Sequence, residues 1–122
     1  MANPGPKTDA DIIGLVRTMF HSPLMVHIRD AHKRGVPASI KVGTFTIQYE
    51  PYNFSGMTAF PDGFVIGKEA FASESEFKKT LLHEMYRLCH SEIGQGHDAH
   101  SQNIKAETNA AFNFAERNWE LV

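Results

Sequence analysis

Only one cysteine, Cys89, occurs in the chain, so no internal disulfide can form and no Cys-x-x-Cys pair exists for metal or redox work. Neither charge dominates: 12 Lys+Arg stand against 14 Asp+Glu, which removes the polycationic surface that non-specific phosphate binding requires. A local basic cleft remains open. Apolar runs are only a few residues long, and Met1-Ala2-Asn3-Pro4-Gly5-Pro6 lacks the charged-then-apolar order of a signal peptide. No segment reads as targeting or spanning a membrane. Tryptophan is single, internal repeats and low-complexity tracts are missing, and 122 residues are too few for two ordinary cores.

What is present reads as one α+β domain over residues 8–122, preceded by a flexible lead-in over residues 1–7. That lead-in suits a linker cut from a longer protein and a short native terminus equally. Thr8 with Asp11 is a capping-box-like start, and Ile12, Val16, Met19 and Phe20 recur at helical spacing to about residue 20. Ser22-Pro23 predicts the start of a second helix with Leu24, Ile28 and Ala31 on one stripe and Gly35 as its stop. Ile40 and Val42 then alternate in one phase and Phe45, Ile47 and Tyr49 in the other, so Gly43 marks a tight turn or bulge. Residues 51–56 read as loop, Pro61-Asp62-Gly63 as a turn, and Phe64-Val65-Ile66 as a short buried strand before Gly67. A small, mostly antiparallel sheet is expected.

Ser73 with Glu76 opens a third helix to about residue 92, with Phe77, Leu81, Met85 and Leu88 on one face and Gly94-Gln95-Gly96 beyond it. The last helix begins near Ser101 and presents Ile104, Ala111, Ala115 and Trp119, with Phe112 and Phe114 beside them. Those aromatics read as core and not as a base-stacking platform.

On the third helix His83, Arg87 and His90 fall at i, i+4 and i+7, with Glu84 one position round. A polar stripe is the ordinary solvent face of a helix. Here, however, Leu82, Tyr86 and Cys89 make the rest of the circumference apolar as well, and a helix buried all round must give its polar groups partners or a purpose. His83, Glu84, Arg87 and His90 are therefore the candidate catalytic set. Cys89 and His90 are helix neighbours that do not face each other, so Cys89 reads as a small buried residue.

Two chemistries fit. In metal-independent phosphodiester cleavage one His acts as general acid and Glu84 or the other His as general base, with His83 and His90 sharing proton transfer, while Arg87 grips the phosphate and Tyr86 and Lys105 assist. The other follows from a resemblance: Thr80-Leu81-Leu82-His83-Glu84-Met85-Tyr86-Arg87-Leu88 resembles the active helix of the zincin metallopeptidases, whose pattern is H-E-x-x-H. The resemblance implies a zincin-like fold, in which a helix and an antiparallel sheet precede the active helix and a later helix follows it; the elements read above give two N-terminal helices, a small, mostly antiparallel sheet and two C-terminal helices. It also implies zinc as cofactor, a cleft-lining strand at residues 64–67, and Glu107 on the last helix as a ligand beside His83. Arg87 departs from the pattern, because a guanidinium has no lone pair to donate. His90 lies about 10 Å further along the helix, too far to replace it, which leaves His97 and His100 as donors. Glu107 equally suits a helix's first turns without any ligand role.

The stretch from His83 to Leu88, His90-Ser91, and Glu107-Thr108-Asn109-Ala110-Ala111-Phe112 with Phe114-Ala115 also resembles C-terminal toxin modules of bacterial polymorphic toxins. These tip rearrangement-hot-spot and contact-dependent-inhibition proteins. That resemblance implies a domain secreted or delivered as part of a larger toxin, acting in the target-cell cytoplasm on protein or RNA, and neutralised by a cognate immunity protein. A partner-binding scaffold that has lost catalysis, with His83 and Glu84 as buried polar groups, is the third reading.

Overall fold

A computed structural model describes residues 8–60, 62–90 and 102–122, without the side chains of Phe60 and of residues 102–108. The expected lead-in, the end of the third helix with its glycines, His97 and His100, and the side chains of Lys105 and Glu107 lie outside the described residues.

The chain runs α1 (Asp9–Phe20), α2 (Met25–Arg34), β1 (Ala38–Val42), β2 (Phe45–Tyr49), β3 (Gly56–Phe60), β4 (Gly63–Ile66), a short 3-10 turn (Lys68–Phe71), α3 (Glu74–His90), α4 (Gln102–Asn118) and a closing 3-10 turn (Trp119–Leu121). It is an α+β fold. Among the described residues no helix is long and apolar enough to cross a membrane.

Local chemistry sets most boundaries. Thr8 accepts from the Asp11 amide while Asp11 reaches back to the Thr8 amide, so both halves of the expected capping box form. Gly35 ends α2 in the left-handed region at φ 68°, where a side chain would clash with the backbone. The start of α2 differs from the expectation: Ser22 Oγ accepts from the Leu24 amide, and residues 22–24 make i to i+3 backbone bonds. Ser22-Pro23 thus opens a tight 3-10 turn, and the α-helix proper follows at Met25.

Val42 pairs with Phe45 across the two-residue turn Gly43-Thr44, with Gly43 at φ 62°. A two-residue turn places even-numbered partners opposite odd-numbered ones. Ile40 therefore faces Ile47, and the phase change in the sequence leaves both strands burying the same side of the sheet.

The sheet order is β1-β2-β4-β3, with β1/β2 and β3/β4 antiparallel and β2/β4 parallel. Ile40, Phe45, Ile47, Tyr49, Phe64 and Ile66 turn to one side and are buried under the helices. On that side α2 lies over β1 and β2, while α3 lies over β3 and β4 with α1 and α4 against it. Arg29 ties α2 to α3 by pairing with Glu74 at 3.0 Å while its guanidinium lies over Phe20 and Phe77. The α3 helix is apolar on most of its circumference, as its sequence suggested: Phe77, Leu81, Leu82, Met85, Leu88 and Cys89 are all buried.

One buried polar atom is out of place. The Tyr49 hydroxyl is buried with no hydrogen-bond partner among the described residues, a loss the aromatic ring's burial has to offset. Tyr49→Phe is therefore expected to raise stability by about 1 kcal/mol, measured by urea denaturation. A loss of that size instead would mean the hydroxyl is satisfied.

Candidate functional site

Between α3, the edge strand β3 and α4 lies a cleft of about 240 Å³. Its floor is the polar stripe of α3, where Glu76, Thr80 and His83 stand at successive turns and Glu84 lies towards β3. Ser55 and Gly56 form one wall, and Phe112, Ala115 and Glu116 of α4 the other. Lys79 crosses to Glu116 at 3.2 Å and holds α4 to α3 at the cleft.

Glu84 is the unusual group. Its residue is 2% exposed, yet among the described residues its carboxylate makes one hydrogen bond, accepting from Thr58 Oγ1 at 3.1 Å. Burial drives its pKa up to about 7, against the opposing pull of Arg87 and of the Thr58 hydroxyl. His83 has the opposite problem, because burial and the neighbouring Arg87 charge push its imidazole below the ordinary value. At neutral pH His83 is thus uncharged and Glu84 is poised between its two forms. His83 Nε2 and Glu84 Oε2 are 4.0 Å apart, a span one water molecule bridges with ordinary hydrogen bonds.

Gly56 brings the strand this close. A Cβ there would lie 3.0 Å from the Thr80 methyl, 3.1 Å from Glu84 Cγ and 3.2 Å from Glu84 Oε2. Gly56→Ala is expected to cost about 1 kcal/mol of stability but at least tenfold in any activity that uses Glu84, since the carboxylate is displaced. Equal losses of folding and function would contradict a positioning role.

Of the sequence candidates, His83 and Glu84 meet in the cleft. Arg87 continues the same stripe one turn on, beyond the cleft lining, and acts electrostatically on both. His90 is not brought to them: it is exposed, with its ring against that of Tyr86, the centroids 4.2 Å apart and the planes tilted by 30°. Tyr86 itself turns to Phe114 of α4. The strand beside the cleft is β3, not the expected residues 64–67, because β4 is interior to the sheet. Phe112 also departs from expectation, being 57% exposed at the cleft while Phe114 is fully buried. Thr58, Gly56, Lys79 and Glu116 were not legible as site residues, since only tertiary packing brings them to α3.

The edge of β3 carries a second property. Gly67 N donates to Ser55 O at 2.9 Å, which makes Ser55 and Gly67 a hydrogen-bonded pair. Antiparallel pairs alternate, so Gly56 and Thr58 form the non-bonded pairs with Ile66 and Phe64. Their N–H and C=O groups point away from β4, to the edge that pairs with no further strand among the described residues.

Of the expected metal donors only His83 has a described side chain. Among the described residues no three His, Cys, Asp or Glu side chains converge to hold one, and Arg87 puts a cation at the position where H-E-x-x-H has its second imidazole. In comparisons with protein-family models, curated proteins and solved structures, the chain matches none.

Proposed function

We propose that this domain is a hydrolase of zincin-like arrangement in which Glu84 is the general base and an extended polypeptide is the substrate. The buried Glu84 carboxyl, titrating near pH 7 in an accessible cleft, is the observation that carries the reading. Support for a polypeptide comes from the outward-facing backbone groups of Gly56 and Thr58, which among the described residues pair with no further strand and which a substrate strand can extend. Sheet order supports the arrangement: an antiparallel edge strand lies next to the helix bearing His83-Glu84.

In the reaction, Glu84 takes a proton from water as the oxygen adds to the scissile carbonyl. When the C–N bond breaks, the same carboxyl returns the proton to the leaving nitrogen. A pKa near the working pH suits both transfers. Neutral His83 orients the water from the opposite side. No step is routed through zinc, because the described donors do not complete a site. The version of the phosphodiester alternative in which His83 and His90 share proton transfer is less supported, because the ring of His90 is turned to Tyr86.

The resemblance to polymorphic-toxin modules supplies the setting: an effector delivered by a larger protein into a target cell and held in check by an immunity protein. Inducible expression in the bacterial cytoplasm tests this. The unchanged chain is expected to arrest growth and Glu84→Gln to relieve the arrest at equal protein level. Unimpaired growth with the unchanged chain, or arrest by both, would contradict the proposal.

A further inference from the structure

Arg87 is only partly exposed, and it joins none of the ion pairs among the described residues. Its Nε–H is buried with no hydrogen-bond partner among them. A guanidinium with a buried, unmet N–H is costly unless an acceptor comes from outside. Arg29 pairs with Glu74 and Arg34 with Asp30, and among the described residues no arginine other than Arg87 has a buried side-chain nitrogen without a partner.

Position adds to this. At about 100° per residue, Arg87 lies between His83 and Glu84 around the helix, one turn beyond them. It therefore stands at the end of the stripe that floors the cleft. The ligand its chemistry fits is an oxyanion, which accepts from the fork of the guanidinium in two parallel bonds. Among the described titratable groups that line the cleft, Glu84 is bonded to Thr58, Glu116 to Lys79, and His83 is neutral at pH 7 by its lowered pKa.

We infer that Arg87 is an anion-holding residue one helical turn beyond this cleft, so that a ligand seated in the cleft carries a carboxylate or phosphate group next to the bond that Glu84 acts on. In this arrangement a fixed guanidinium supplies the positive charge that a metal ion supplies in an H-E-x-x-H site. The inference takes the hydrolase reading as its setting, but anion binding needs no turnover, so the two fail separately.

The test follows the arginine Nε–H resonances of the 15N-labelled chain during titration with inorganic phosphate and, separately, sodium acetate at constant ionic strength. One resonance, assigned to Arg87 by its loss in Arg87→Lys, is expected to move saturably, while those of Arg29 and Arg34 stay in place. Arg87→Gln is expected to weaken binding about tenfold or more, the usual worth of a charge-assisted pair, and Arg87→Lys to weaken it less. Tighter binding of phosphate or of acetate tells which oxyanion the site takes. Glu84→Gln is expected to retain binding even where growth arrest is lost. The inference is overturned by the absence of saturable movement, by equal movement of all arginines, or by stoichiometric zinc binding to the unchanged chain.

Discussion

Glu84→Gln is expected to make the protein more stable at pH 8 by about 3 kcal/mol while abolishing its activity. The reasoning is one of linkage. Glu84 moves from an ordinary 4.5 to about 7 on folding, so between these values the folded state holds a proton that the unfolded chain has released. Stability therefore falls as pH rises through that window. Below pH 4.5 both states are protonated and the carboxyl costs nothing. Above about 7 the whole penalty of a buried charge is present. Gln keeps the acceptor for Thr58 and never ionises, so the variant should match the parent at pH 4 and exceed it at pH 8. Urea denaturation at both pH values measures this. Activity should fall by 100-fold or more, on the order of a general base's contribution. A group retained against its own stability is what a working site predicts.

Gly67→Ala is expected to be strongly destabilising. The added Cβ would lie 2.3 Å from the carbonyl oxygen of Phe54 and 2.7 Å from its ring, and the nearest of these atoms is backbone. Gly67 is extended, at φ −115°, so the need for glycine here is one of space alone. Its neighbourhood is tightly bonded: Gly67 donates to Ser55, Lys68 to Tyr52 and Glu69 to Phe54. The chain cannot move aside without breaking these bonds and shifting the start of β3. A cost of about 3 kcal/mol, or a Tm lower by roughly 10 °C, is expected, with loss of activity because Gly56 shifts with Ser55. A Tm within 2 °C or so of the parent would show that the loop yields.

The two kinds of feature differ in how far the sequence reveals them. Caps at Thr8 and Gly35 and the change of phase between Ile40 and Ile47 are local, written in side chains that act on their own backbone, and each appears in the fold. The strand β3 was not readable. Gly-Met-Thr-Ala-Phe has two small residues and little β-branching, and pairing with β4 is what makes it a strand. Missing β3 assigned the cleft-side role to residues 64–67, which are covered on both edges.

The site divides in the same way. His83 and Glu84 stood out because the apolar circumference of α3 buries them, and Glu84 is indeed buried beside the half-covered His83. Thr58 and Gly56 carry no mark of their own, since their role comes from the α3 side chains they meet. Phe112 was misplaced by company: it sits between buried Ala111 and Phe114, but about 100° round from the first it turns to the cleft.

One buried carboxyl in this cleft, that of Glu84, changes its protonation near neutral pH. Following the side-chain carboxyl 13C resonances of the glutamates from pH 3 to pH 9 tests it most directly. One resonance, missing in Glu84→Gln, is expected to titrate near 7; if that resonance titrates with the ordinary carboxylates, Glu84 is no general base and the account is contradicted.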